Sequence, residues 1–153
     1  MICSFIGHSL ILSKILSNSK LENDLKDKIL KLITFGIYDF YVGTHGDFDK
    51  LVLRTLVSIK KEIFDRINIF AVQTNLNILK NKYQNNNKYY KYIFFDIEDI
   101  YYKNIITFSN KKMIDKCQYL ICYINENKKY SRAKKFYNYA KNNNKIIINL
   151  FHF

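Results

Sequence analysis

The chain has 153 residues, enough for one ordinary domain with its own core, and 48% of them are hydrophobic, which argues against a disordered tail. It carries 25 Lys and Arg against 13 Asp and Glu, a net charge of +12, with no Trp, no Pro and four Gly. Cys3, Cys117 and Cys122 are odd in number and form no CxxC pair, which argues against a disulfide framework or a zinc site and fits buried thiols in a reducing compartment.

Ile2 to Ile6 is a short apolar run ending at Gly7, and reads as a first buried strand. The longer stretch from Met1 to Leu16 is broken by Ser4, His8, Ser9, Ser13 and Lys14. It has neither a basic leader nor a small-residue cleavage site, so no membrane span or signal peptide is predicted and a cytoplasmic protein is expected. Leu21, Leu25, Ile29, Leu32 and Ile33 then recur at helical spacing, and Gly36 follows as a left-handed C-cap. Tyr38 to Val42 forms a second strand stopping at Gly43. Leu51, Val52, Leu56, Ile59 and Ile63 mark a second amphipathic helix from Phe48, with Asp47 placed to cap it.

Ile67 to Val72 is a third strand. Gln73 to Lys91 reads as a helix and loop or as a mobile lid, and Tyr92 to Phe95 as a short strand. Asp96 to Phe108, acidic and aromatic, has no clear period. A helix over Ser109–Cys117 leads into a strand at Tyr119–Ile124. The last helix carries Ala133, Phe136, Tyr137 and Ala140 on one face and ends at Asn142-Asn143-Asn144, before a final strand at Lys145–Leu150. Strands alternating with helices predict an α/β, Rossmann-like three-layer sandwich with a mostly parallel sheet, one domain over residues 1–153.

Ligands of open parallel sheets bind outside the carboxyl ends of the strands, near a switch in strand order. In a chain so poor in glycine, Gly7, Gly43 and Gly46 all fall directly after strands. Turns without a Cβ let backbone amides approach a phosphate, so Gly43-Thr44-His45-Gly46-Asp47-Phe48-Asp49 is the candidate cradle. The same pattern also serves a ligand-free tight turn. His8 and His45 follow neighbouring strand ends and are candidate phosphate donors, and two His without a third ligand argue against a metal. Asp49 and Asp115 are candidates for ribose hydroxyls or acid–base work, but no paired carboxylate or nucleophile–base unit is evident, which argues against catalysis. Asn110 reaches toward the same crevice from its helix start or else caps that helix, and the Tyr123 ring is placed to stack on a base or to fill the core.

These segments resemble a known family. Phe5-Ile6-Gly7-His8 is similar to the opening strand of YpsA-like proteins, and Tyr41-Val42-Gly43-Thr44-His45-Gly46-Asp47-Phe48-Asp49 to their Gly-x-x-Gly…Phe-Asp turn. Asn110 with Met113-Ile114-Asp115 resembles their Asn-x-Met-hydrophobic-Asp helix, and Cys117–Tyr123 and Lys145–Leu150 resemble their two closing strands. The likeness covers nearly the whole chain except roughly Gln73 to Asp99. It points to the SLOG superfamily, which joins the DNA-processing protein DprA and the Lonely Guy enzymes. It implies a Rossmann-like domain binding a nucleotide or nucleotide-derived signal such as ADP-ribose, with homodimers common among relatives. The chain lacks the Pro-Gly-Gly-x-Gly-Thr-x-x-Glu loop of the Lonely Guy branch. Where YpsA-like proteins have Gly-Gly-Thr after the fifth strand, it has Asn125-Glu126-Asn127-Lys128-Lys129-Tyr130-Ser131, leaving Ser131, Lys128 and Lys129 to compensate.

The leading expectation is therefore a nucleotide-binding module, a sensor or sink, with no cofactor named. A single-stranded nucleic-acid-binding protein is the next, favoured by the charge and by interleaved Lys88-Tyr89-Tyr90-Lys91-Tyr92. Its lysines, however, are spread along the chain and belong to a codon-biased set that includes Ile, Asn, Tyr and Phe. A nucleotide N-glycosidase-like hydrolase and a relative that has lost its ligand complete the alternatives.

Overall fold

The computed structural model describes residues 1–9, 19–74, 87–95 and 104–152. In chain order the elements are β1 (Ile2–Gly7), α1 (Ser19–Thr34), β2 (Asp39–Val42), α2 (Asp47–Glu62), β3 (Asn68–Val72) and β4 (Lys91–Ile93). Then come α3 (Ile105–Lys116), β5 (Tyr119–Tyr123), α4 (Arg132–Asn142) and β6 (Ile146–Asn149). The segment read as a lid lies mostly outside the described residues, as does most of the acidic stretch after Phe95.

Among the described residues all six strands run parallel, in the order β4-β3-β2-β1-β5-β6. Parallel strands need helical crossovers, and crossovers keep one hand. The chain moves from β1 outward through β2 and β3, then returns past β1 to β5 and β6. Reversing the direction of travel at constant hand moves the helices to the opposite face. Accordingly α1 and α2 cover one side of the sheet and α3 and α4 the other, giving a Rossmann-like three-layer fold.

The central strand β1 shows why its sequence is continuously apolar. Cys3 and Phe5 join the core under α1 and α2, while Ile6 joins the core under α3 and α4. Ser4 points the same way as Ile6 and donates to the Met113 carbonyl of α3 at 3.0 Å. A strand covered on both faces has no side to leave polar without a partner. The helices bury the stripes their periodicity marks: Leu21, Leu25, Ile29, Leu32 and Ile33 on α1, and Ala133, Phe136, Tyr137 and Ala140 on α4. Helix α1 ends as its glycine predicts. Gly36 has φ of 86°, its N–H donates to Ile33, and the Ile37 N–H donates to Leu32, which is a Schellman closure.

Several boundaries differ from the sequence expectation. Helix α3 starts at Ile105 rather than Ser109, because Ile105, Ser109 and Met113 share one buried face. Gly46, not Asp47, is the N-cap position of α2. Strand β1 runs through Gly7, and β4 and β6 are shorter than expected. No described helix is long and apolar enough to cross a membrane.

Candidate functional site

Between β1 and β5 the chain's direction across the sheet reverses, so the loops leaving their carboxyl ends diverge and open a crevice. Gly7 pairs in register with Tyr123 at that end. Just beyond, Nε2 of His8 accepts a hydrogen bond from the Asn125 N–H at 3.0 Å, bridging the two strand exits. Above this bridge lies a cleft of about 430 Å³. The β1 exit supplies Gly7, His8 and Ser9, the β2–α2 turn supplies His45 and Asp49, and α3 supplies Ile106 and Asn110. Lys128, Tyr130, Ser131, Arg132 and Phe136 form the remaining wall, from the β5–α4 junction.

That junction is fixed by its own hydrogen bonds. Ser131 caps α4, its Oγ accepting from the Lys134 N–H at 3.0 Å. Lys134 Nζ donates to the carbonyls of Glu126 and Lys128, and Tyr137 Oη donates to the Glu126 carboxylate at 3.0 Å. Behind it, Asn149 accepts from the Ile124 N–H and returns a bond to the Ile124 carbonyl, clamping the end of β5 to β6. The wall thus presents a helix N-terminus together with the cations Lys128 and Arg132. Both the amide dipoles and the side chains favour an anion there.

The opposite wall is polar and close to neutral. Burial pushes the Asp49 carboxyl up to about 7, against the opposing effect of the His45 N–H that it accepts at 3.0 Å. Burial lowers the pKa of His8, helped by the charge of Lys128, and burial alone lowers that of His45. His8 therefore stays a neutral acceptor, which its bond from Asn125 requires. His45 Nε2 is hydrogen-bonded to the Thr74 hydroxyl. No group of three His, Cys, Asp or Glu among the described residues is arranged to hold a metal.

Of the residues singled out from sequence, Gly7, His8, His45, Asp49, Asn110 and Ser131 meet in this cleft. Asn110 does so from inside α3, not from its start, since Asn104 holds the N-cap position. Gly43, Thr44 and Gly46 are not among its lining residues, and the glycine turns serve packing. A Cβ on Gly7 would lie 2.3 Å from the Phe48 ring, and one on Gly43 would lie 2.6 Å from the Asp49 carboxylate. Gly46, at φ of 116°, lets the turn pass the Ser9 backbone. Thr44 Oγ1 donates to the Val72 carbonyl, and the Asp47 N–H donates to Ser9, so the turn spends these groups on neighbouring chain.

Asp115 and Tyr123 do not line this cleft. Asp115 lies in the last turn of α3, at the opposite rim of the sheet, where it accepts from Tyr139 Oη at 2.7 Å. Tyr123 is 8% exposed, stacked on Phe48 at 6.1 Å and edge-on to Phe151 at 5.3 Å, which makes it a core aromatic. The Tyr89–Tyr92 cluster likewise packs on itself and on Lys61 near β4, away from the cleft.

Sequence reasoning missed Ser9, Arg132 and Tyr130, the last 89% exposed at the rim. The available signal was charge at a strand-to-helix junction, Lys128 through Arg132, rather than glycine. Compared with known proteins, the chain matches no family model and no curated protein.

Proposed function

We propose that the chain is a nucleotide-binding module of the SLOG, YpsA-like type, a sensor of or sink for a nucleotide or nucleotide-derived signal. The observation that carries this reading is the cleft at the β1–β5 switch point, with Lys128, Arg132 and the α4 N-terminus converging on one wall. A phosphate sits against that wall. The nucleoside faces Asn110, His8 and His45, with the Tyr130 ring at the rim as a stacking surface for the base. Cationic side chains replace the glycine cradle that the likeness led one to expect.

Thermal-shift measurement with AMP, ADP-ribose, NAD and inorganic phosphate tests it. A nucleotide at about 100 times its Kd adds about 2.7 kcal/mol of stability. Lys128→Gln and Arg132→Gln each weaken that response. A flat response to the whole panel overturns the reading.

Asp49 favours a second reading, nucleotide N-glycoside hydrolysis. A carboxyl near 7 in a cleft is suited to protonating a leaving base. Incubation with nucleoside monophosphates and chromatography for free base decides it: base released by the wild type but not by Asp49→Asn supports hydrolysis, and no release removes it.

A further inference from the structure

The nucleotide cleft does not end at α4. A second depression of about 490 Å³ runs between α3 and α4, and Arg132 and Phe136 belong to the walls of both. Along α4, Arg132, Lys135 and Tyr139 follow at helical spacing and so form one stripe leading away from the helix N-terminus. Lys111 faces them from α3, its ammonium 5.4 Å from the centre of the Tyr139 ring. Among the described residues the groove is lined by Lys111, Arg132 and Lys135 and by no carboxylate. Asp115, on the same helix as Lys111, is engaged by the Tyr139 hydroxyl. From Arg132 to Tyr139 the stripe spans about 10 Å of helix, longer than a single phosphate group.

We propose that cleft and groove are two halves of one site, and that its ligand is a linear nucleotide carrying two separated phosphates. One phosphate sits at the α4 N-terminus and the second lies over Lys111 and Lys135. The inference rests on the nucleotide-binding reading and names its substrate class. Charge decides in its favour: a mononucleotide phosphate held by Lys128 and Arg132 leaves Lys111 and Lys135 of the adjoining groove without a counter-charge, and a second phosphate meets them within reach of Arg132.

Calorimetric titration with AMP and with the 5′-phosphorylated dinucleotide pApA tests it, on the wild type and on Lys111→Gln/Lys135→Gln. Both lysines are exposed, so the double variant leaves the core untouched. The wild type binds pApA at least about tenfold tighter than AMP, a difference of about 1.4 kcal/mol. AMP displaces pApA, and the double variant loses the preference while keeping its affinity for AMP. Equal affinities in the wild type, or a preference that survives in the double variant, overturn the two-phosphate site while leaving mononucleotide binding intact. If neither compound binds, the two-phosphate site is overturned as well, while the nucleotide reading is decided by the response to ADP-ribose, NAD and phosphate.

Discussion

Asp49 shows how one side chain links packing to chemistry. Gly43 has no Cβ, and the space is taken by the Asp49 carboxylate, which is buried there against the His45 amide. The sequence places Asp49 in a recognisable turn, but its burial depends on that vacancy across the turn and was not legible from spacing. Because the folded carboxyl keeps its proton up to about 7, the folded chain binds more protons than the unfolded one between about pH 4 and 7. Its contribution to stability therefore falls as pH rises through that window, by up to a few kcal/mol. Asp49→Asn removes the fall. The Tm of the variant relative to wild type is expected to climb from about pH 4 to about pH 7 and then level off. The lowered pKa values of His8 and His45 act oppositely, adding stability as pH rises toward their ordinary value, and they are common to both proteins. On the proposed function, AMP affinity is expected to follow the same group, weakening above about pH 7 in the wild type as a carboxylate forms in the cleft, and staying level in Asp49→Asn. A pH-independent difference in Tm would show that Asp49 titrates normally.

At the scale of elements, the junction between β5 and α4 carries both a cap and the cationic wall of the cleft, and Ser131 belongs to both. Serine and aspartate cap helices about equally well, whereas alanine costs about 1 kcal/mol. Ser131→Ala is therefore expected to lose about that much stability in chemical denaturation. Ser131→Asp keeps stability close to wild type but sets a negative charge beside Lys128 and Arg132, and its AMP affinity drops by about tenfold or more. Equal AMP binding by Ser131→Asp and wild type would place the phosphate elsewhere. The element boundaries show what periodicity reveals and what it hides. Helices α1, α2 and α4 have apolar stripes wide enough to read directly. The start of α3 was hidden because its buried face includes Ser109, a polar residue that breaks the apolar pattern yet is 3% exposed. Gly7 was legible as a special position but for a different reason, since its missing side chain makes room for Phe48.

For the whole molecule, a parallel sheet followed from the alternation of elements, but strand order did not. Each strand–helix unit has the same local pattern whichever side of β1 it joins, and only the return past β1 to β5 creates the switch point. The cationic wall was legible only in part: Lys128 and Arg132 stand four residues apart in sequence, but only the fold sets their junction beside the exits of β1 and β2. Salt separates that cluster from the charge of the whole chain. With 25 cationic side chains against 13 acidic ones, the folded protein repels itself, so screening by added salt raises its Tm. Chloride acts only in this general way, whereas sulfate would also occupy the proposed phosphate site. At equal ionic strength, sodium sulfate is therefore expected to stabilise the wild type more than sodium chloride does. Part of that excess comes from sulfate's exclusion from protein surface, which every variant shares. The part owed to the site is the difference between wild type and Lys128→Gln/Arg132→Gln, and it saturates with sulfate concentration as binding does. Parallel, unsaturating sulfate curves for the two proteins would mean that the rim attracts anions no more than the rest of a basic surface.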